Sequence, residues 1–311
     1  MTGAMEAALV AVRFVQFTAA FVLLGSPAFA LALAAGFSAR SAVRQEFDRW
    51  LRRSLLAAAG AALVTAALWL DLEAVIMGNG WGQAVDTGTI AIVLFGTLFG
   101  RAWCWHMGIG IVLLGSIVLL PARSSTTILL ALLAAVFVAG LAWAGHAVMH
   151  PGASHLIVQV THLLAGAIWL GSLPALLHVA TKARFNRSED WEDALRHVLP
   201  IYSRAGYVAV GLVLLTGILN CWYLVGSIGR LATTPYGHVL VAKIALVLIM
   251  VGIAAINRFV LLPEIETRGR GDEHRLAVRR LRCSVAVELG MSALVLAAVS
   301  LLGILPPALA P

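Results

Sequence analysis

Eight stretches of nearly unbroken apolar sequence, each about twenty residues or longer, punctuate this chain. They fall at about 10–36, 54–76, 102–121, 127–149, 155–179, 200–225, 238–262 and 284–305. An α-helix rises 1.5 Å per residue, so about twenty apolar residues are what a helix needs to cross a hydrocarbon core roughly 30 Å thick. Short charged or Gly/Pro-containing stretches separate the runs. Charged residues make up only 12% of the 311, about half the share of an ordinary soluble domain. So few charges cannot coat a soluble globule. The composition therefore excludes a water-soluble enzyme and a disordered protein. The expected fold is all-α, one polytopic membrane domain spanning residues 1–311.

A ninth apolar segment, 84–100, follows Asp71, Glu73 and Asp86 and is short. Charge arbitrates whether it crosses. With eight spans and the amino terminus outside, the inside loops hold 16 arginines and lysines and the outside segments 3. Basic residues accumulate on the cytoplasmic side of membrane proteins. A ninth crossing would collapse that asymmetry, so 84–100 is expected to be interfacial or re-entrant, with both termini periplasmic. The formal charge of +7 is explained by these loops and calls for no nucleic acid. Cys104, Cys221 and Cys283 are too scattered for a disulfide framework and read as buried thiols. Ser26-Pro27-Ala28-Phe29-Ala30 faintly resembles a signal-peptidase site. It lacks a basic leader region, since Arg13 is the first positive side chain, and the first run is read as a retained helix. Trp81, Trp103 and Trp105 suit an interfacial aromatic belt, and 182–197 reads as a solvated amphipathic connector.

Six of nine histidines (His106, His146, His150, His155, His162 and His238) fall near the outer face in this orientation. Four of them lie within 146–162, around a Pro151-Gly152 turn. His146 and His150 share a helix face if the fourth run stays helical that far. His155, Gln159 and His162 have i, i+4, i+7 spacing, and Gly166 and Trp169 extend that stripe inward. The short connection makes the fourth and fifth helices antiparallel neighbours, so their histidine faces converge. His162 lies about 10 Å deeper than His155. A titratable group at that depth is costly without a partner. A single histidine in a membrane helix commonly packs through a hydrogen bond; four so close together point to a metal or a haem. Nearby sulfur donors (Met77, Cys104, Met107 and Met149) favour copper, because thioether and thiolate suit Cu(I). His178, His197 and His274 fall on the inner side and receive no role.

Arg258 and Glu288 sit at equal depth in the last two runs and are expected to form a buried ion pair or part of a pathway. Lys243 could meet Asp71, Glu73 or Asp86. Asn220 and Asn257, with Gln16 and Thr18, are further interior polar groups.

Taken in order, several segments resemble the CopD (copper resistance protein D) family. They are Gly145-His146-Ala147, His155, and His162 with Ala167-Ile168-Trp169-Leu170-Gly171-Ser172-Leu173. Gly217-Ile218-Leu219-Asn220, Tyr236-Gly237 with Lys243, Asn257 to Pro263 and Glu288 follow. Arg13 to Thr18 and Thr97-Leu98-Phe99-Gly100 carry the likeness into the amino-terminal half. The resemblance implies a bacterial inner-membrane protein, not an enzyme, that moves copper from periplasm toward cytoplasm beside a separate periplasmic CopC-like copper-binding protein. Gln16 stands where a histidine is expected in the first helix, and Gln159 replaces a further one in the fifth.

The expected site, at the outer ends of the third to fifth helices, takes His146, His155 and His162 as its core. His150 and Met149 would sit at its mouth, with His106, Met107 and Cys104 as auxiliary donors. The cargo would be Cu(I) or Cu(II), moved without ATP because no nucleotide-binding motif is present. The rival from another class is a b-type cytochrome, whose haem b would be held by paired histidines.

Overall fold

The computed structural model describes residues 3–78, 80–145, 153–185, 189–267 and 271–308. Eight helical segments in it are long and apolar enough to cross a membrane, and no strand occurs among the described residues. In chain order the helices are α1 (Gly3–Ala34), α2 (Ala42–Met77), α3 (Thr87–Gly96), α4 (Leu98–Leu119), α5 (Ser124–Gly140) and α6 (Ser154–Phe185). They continue with α7 (Glu189–Leu224), α8 (Ile228–Thr233), α9 (Pro235–Ile256), α10 (Leu262–Thr267) and α11 (Asp272–Leu302). α9 and α10 are joined into one span by a π-turn at Asn257–Leu261. Eight crossings leave both termini at one end of the bundle, and the arginine-rich connections at the other.

The ninth apolar segment divides as its punctuation dictates. Asp86 caps α3 by accepting from the Thr89 N–H at 2.8 Å, and Thr97 caps α4 by accepting from Gly100 N–H at 2.9 Å. Ten residues give α3 a length of about 15 Å, half a crossing. It folds back on α4 so closely that a side chain at Gly100 would overlap the Val93 carbonyl. The segment is therefore a short hairpin at the terminal end of the bundle.

Several helices outrun their hydrophobic stretches at the arginine-rich end. Ser41 caps α2 thirteen residues before the apolar run begins, and Arg44 pairs with Asp48 at 2.8 Å one turn on. Glu189, Asp190 and Glu192 occupy the first turn of α7, where negative charge complements the helix dipole. Consequently 182–197 is not a solvated connector. Its described residues are the last turn of α6 and the first turns of α7, and Trp191, Ala194 and Leu195 pack into the core. Lys182 of α6 bridges to Glu46 of α2.

α1 forms the axis of the bundle, packed by α2, α5, α6 and α11. Its approach to α6 is a backbone contact. A Cβ on Gly25 would overlap the Gly171 backbone, and one on Gly171 would overlap the Phe21 carbonyl. Ser26 Oγ also donates to the Gly171 carbonyl at 3.3 Å. Small residues that let membrane helices touch replace the hydrophobic drive that lipid removes. On the other flank α9 packs on α11, which leaves the terminal half of α1, α6, α7, α9 and α11 arranged around a gap.

A histidine-lined cavity in the terminal half of the bundle

The gap is a cavity of about 450 Å³. Its polar lining is short: Arg13 from α1, His155, Gln159 and His162 from α6, Asn220 and Cys221 from α7, and Tyr236 and Lys243 from α9. The rest is apolar. Among the described residues no aspartate or glutamate lines it.

The stripe on α6 is held in place by α7. His155 is buried and stacks on Tyr223, ring centroids 4.5 Å apart and 18° from parallel. One turn deeper, Asn220 Nδ2 donates to Gln159 Oε1 at 3.0 Å. Deeper again, His162 Nδ1 lies 2.9 Å from Thr216 Oγ1. The single hydroxyl hydrogen of Thr216 goes to its own helix, on the Leu212 carbonyl. Its oxygen must then accept from His162 Nδ1–H. That fixes the tautomer, and the lone pair is left on Nε2. A ring nitrogen anchored through N–H, with its partner nitrogen bare, is how proteins present imidazole to a metal.

The donors expected from α4 stand elsewhere. His106 is buried on the far side of α1 and does not line the cavity. Its Nε2 accepts from the Gln16 amide at 2.9 Å, and Thr65 Oγ1 in turn reaches Gln16 Oε1. Trp103 and Phe137 sandwich its ring, with centroids 4.7 and 3.9 Å away. The Nε2 lone pair is thus already occupied, and Nδ1, which then carries the proton, lies against Gly140. Met107 packs against the core and Cys104 is half-buried, neither on the cavity wall. Trp103 belongs to this core too: it is buried and donates to the Ala66 carbonyl at 2.8 Å. Trp81 and Trp105 are exposed, as belt residues should be.

His146, His150 and Met149 lie outside the described residues; the α-helix of the fourth span ends at Gly140, followed by a 3₁₀ turn at Leu141–Ala144. Among the described residues no three His, Cys, Asp or Glu side chains gather closely enough to hold a metal ion.

Two expected ion pairs do not form. Glu288 is buried and accepts from Asn257 Nδ2, while Arg258 turns away to Tyr207, donating to its hydroxyl at 3.2 Å and lying 5.4 Å from the ring centroid. The two residues are adjacent, so a helix sends them in directions about 100° apart, and only one can face α11. Lys243 meets none of the three carboxylates proposed for it. Glu73 accepts from Trp69 Nε1 at 3.0 Å and faces Arg13, whose guanidinium lies 4.5 Å from the Trp69 ring centroid. Asp86 caps α3.

A second cavity, of about 240 Å³, lies in the arginine-rich half between α1, α6 and α7, lined by Phe29, Ser172 and Tyr202 among others. Trp169 borders both cavities.

Sequence reasoning did not single out Cys221, Tyr223, Thr216 or Tyr236 as parts of the site. Cys221 is the one with a signal: it lies four residues beyond Gly217, and helical spacing sets both on the α7 face that lines the cavity.

Comparison with known proteins adds the family. Residues 4–156 match the model described as "Copper resistance protein D-like, N-terminal domain", and residues 196–302 match "Copper resistance protein D". The chain is 32% identical over 308 residues to Copper resistance protein D of Pseudomonas syringae pv. tomato, covering 96% of both chains. It is 31% identical to Inner membrane protein YebZ of Escherichia coli (strain K12), over 96% of this chain and 98% of that one. Copper transport protein CutJ of Bacillus subtilis (strain 168) is 29% identical over 79% of this chain, which spans 45% of its length. No solved structure matches.

Proposed function

This chain belongs to the copper resistance protein D family, and from that premise we propose that it carries copper across a bacterial inner membrane, from periplasm toward cytoplasm. The observation that carries the reading is the cavity in the terminal half, into which the α6 stripe presents the bare Nε2 of His162. An imidazole nitrogen without a proton is a ligand for copper. His162 is the deep ligand and His155 the shallower one, with His146, His150 and Met149 proposed at the mouth. His106, Met107 and Cys104 have structural tasks around α4 and supply no donor to the cavity.

From the cavity copper passes Trp169 to the second cavity beside Ser172 and Tyr202. Among the described residues no carboxylate lines either cavity, so little there holds a cation tightly once it has left the imidazoles. That suits a conduit better than a store. The names of the relatives speak of copper resistance, copper transport and an inner membrane, which supports a transport protein rather than an enzyme. A separate CopC-like protein is the proposed periplasmic donor.

The test begins with one detergent-purified sample, measured for absorption and metal content together. One or two equivalents of copper without a Soret band is the expected result; stoichiometric iron with a Soret band would replace this reading with the cytochrome. His162→Ala should then lose tight copper binding and flux into liposomes while keeping its elution volume and melting temperature. Unchanged copper stoichiometry in that variant would sink the assignment.

A further inference from the structure

The cavity holds a charge problem that the imidazoles do not solve. Lys243 of α9 lines it. Among the described residues no carboxylate lies within ion-pair distance of it; Cys221 shares the cavity wall with it. Arg13 on the same wall is answered by Glu73. A bare cation entering this space meets a second positive charge and no acidic side chain. Cargo binding therefore needs a negative charge from the wall, and among the described lining residues two can supply one, Cys221 and Tyr236. A thiol ionises far more readily than a phenol, and thiolate is the softer ligand.

We propose that Cys221 is a copper ligand of the cavity, binding monovalent copper as a thiolate together with His162, with Lys243 as the counter-cation. This rests on the copper reading above and deepens it by naming the oxidation state and the anionic donor. The step balances without redox: the Cys221 S–H bond breaks, an S–Cu bond forms, Cu(I) stays Cu(I), and the proton leaves to solvent. The two donors come from different helices, His162 from α6 and Cys221 from α7, and both line the cavity. Two donors satisfy Cu(I), which accepts linear coordination, so the absence of a three-ligand cluster among the described residues fits this ion. Cu(II) prefers tetragonal nitrogen and oxygen sets, and its double charge is the worse match for a wall carrying Lys243.

The experiment uses the full chain with Cys104→Ser and Cys283→Ser, which leaves Cys221 as its thiol. Cu(I) is titrated anaerobically against a chromogenic chelator, and maleimide labelling of Cys221 is followed with and without it. Cu(I) should slow labelling, and adding Cys221→Ser should weaken Cu(I) binding by about tenfold or more, the scale on which losing a ligand or its support acts. Lys243→Met should weaken it too, and Lys243→Arg should restore part of the loss. Cys221→Ser is nearly isosteric, and an unchanged melting temperature certifies its fold. If Cu(I) affinity survives Cys221→Ser and labelling ignores copper while His162→Ala still abolishes binding, the thiolate assignment falls and the permease reading stands. If the parent binds no copper at all, both fall.

Discussion

At the level of single residues, a polar group in a lipid-embedded bundle reveals its task by what remains unbonded once its neighbours are counted. His106 and His162 make the contrast. Both are histidines facing the interior, and a sequence pattern treats them alike. In His106 the Nε2 lone pair is consumed by the Gln16 amide, and two aromatic rings cover the faces. In His162 the Thr216 contact takes the proton-bearing nitrogen and leaves the lone pair in the cavity. The glutamine in the first helix thus serves His106. Replacing it by Leu strands His106 Nε2 in a dry core, at about 1–3 kcal/mol for a buried group left unsatisfied, while the Thr65 hydroxyl keeps its bond to the Ala61 carbonyl. Gln16→Leu should therefore melt earlier in detergent while binding the same number of copper ions. A fall in copper stoichiometry with an unchanged melting curve would instead put His106 in the metal site.

Between elements, the decisive contact is the crossing of α1 and α6. α6 carries the histidine stripe, and its angle to α7 and α9 depends on how closely it approaches the central helix. Gly25 and Gly171 allow backbone contact there, with Ser26 donating across it. Gly171→Val cannot be absorbed by a flexible neighbour, because the atoms in the way are main chain. The helices must separate, which loses packing and turns the cavity wall. The expected result is a lower yield of monodisperse protein and a fall in copper affinity. Gly290→Ala, at a position with open space around it, should behave as wild type. Equal behaviour of the two variants would show that the crossing tolerates a side chain. The π-turn after α9 has a comparable local role. Pro263 cannot donate a backbone hydrogen bond, and the wider turn just before it accommodates the loss. Its first residue, Asn257, reaches Glu288 while Arg258 turns to Tyr207.

For the whole molecule, an even number of crossings fixes both termini to one side, and the arginine-rich connections choose which side. Compartment reporters fused to the two termini should both read periplasmic, and one inserted near Arg123 should read cytoplasmic. Opposite readings at the two termini would mean that α3 crosses after all. In the expected orientation the larger cavity opens toward the periplasm and the smaller one toward the cytoplasm, with Trp169 between them.

The class, the number of spans, the incomplete crossing at 84–100 and the α6 stripe were legible in the run of residues. Each follows from composition or from the 3.6-residue period, which are local properties and survive without knowing any neighbour. Which polar groups share a space became visible in the folded bundle alone. The sequence placed His106 beside His155 and His162 because all three are near one face of the membrane; α1 stands between them. It paired Arg258 with Glu288 by depth, but depth says nothing about rotation around a helix axis, and the adjacent Asn257 took the contact. It read Cys221 as a plain buried thiol, because nothing in a run of residues shows that a lysine two helices away has no acid to face. Depth along the membrane normal can be counted along a chain; azimuth around the bundle is set by which helices touch, and that is decided by long-range packing.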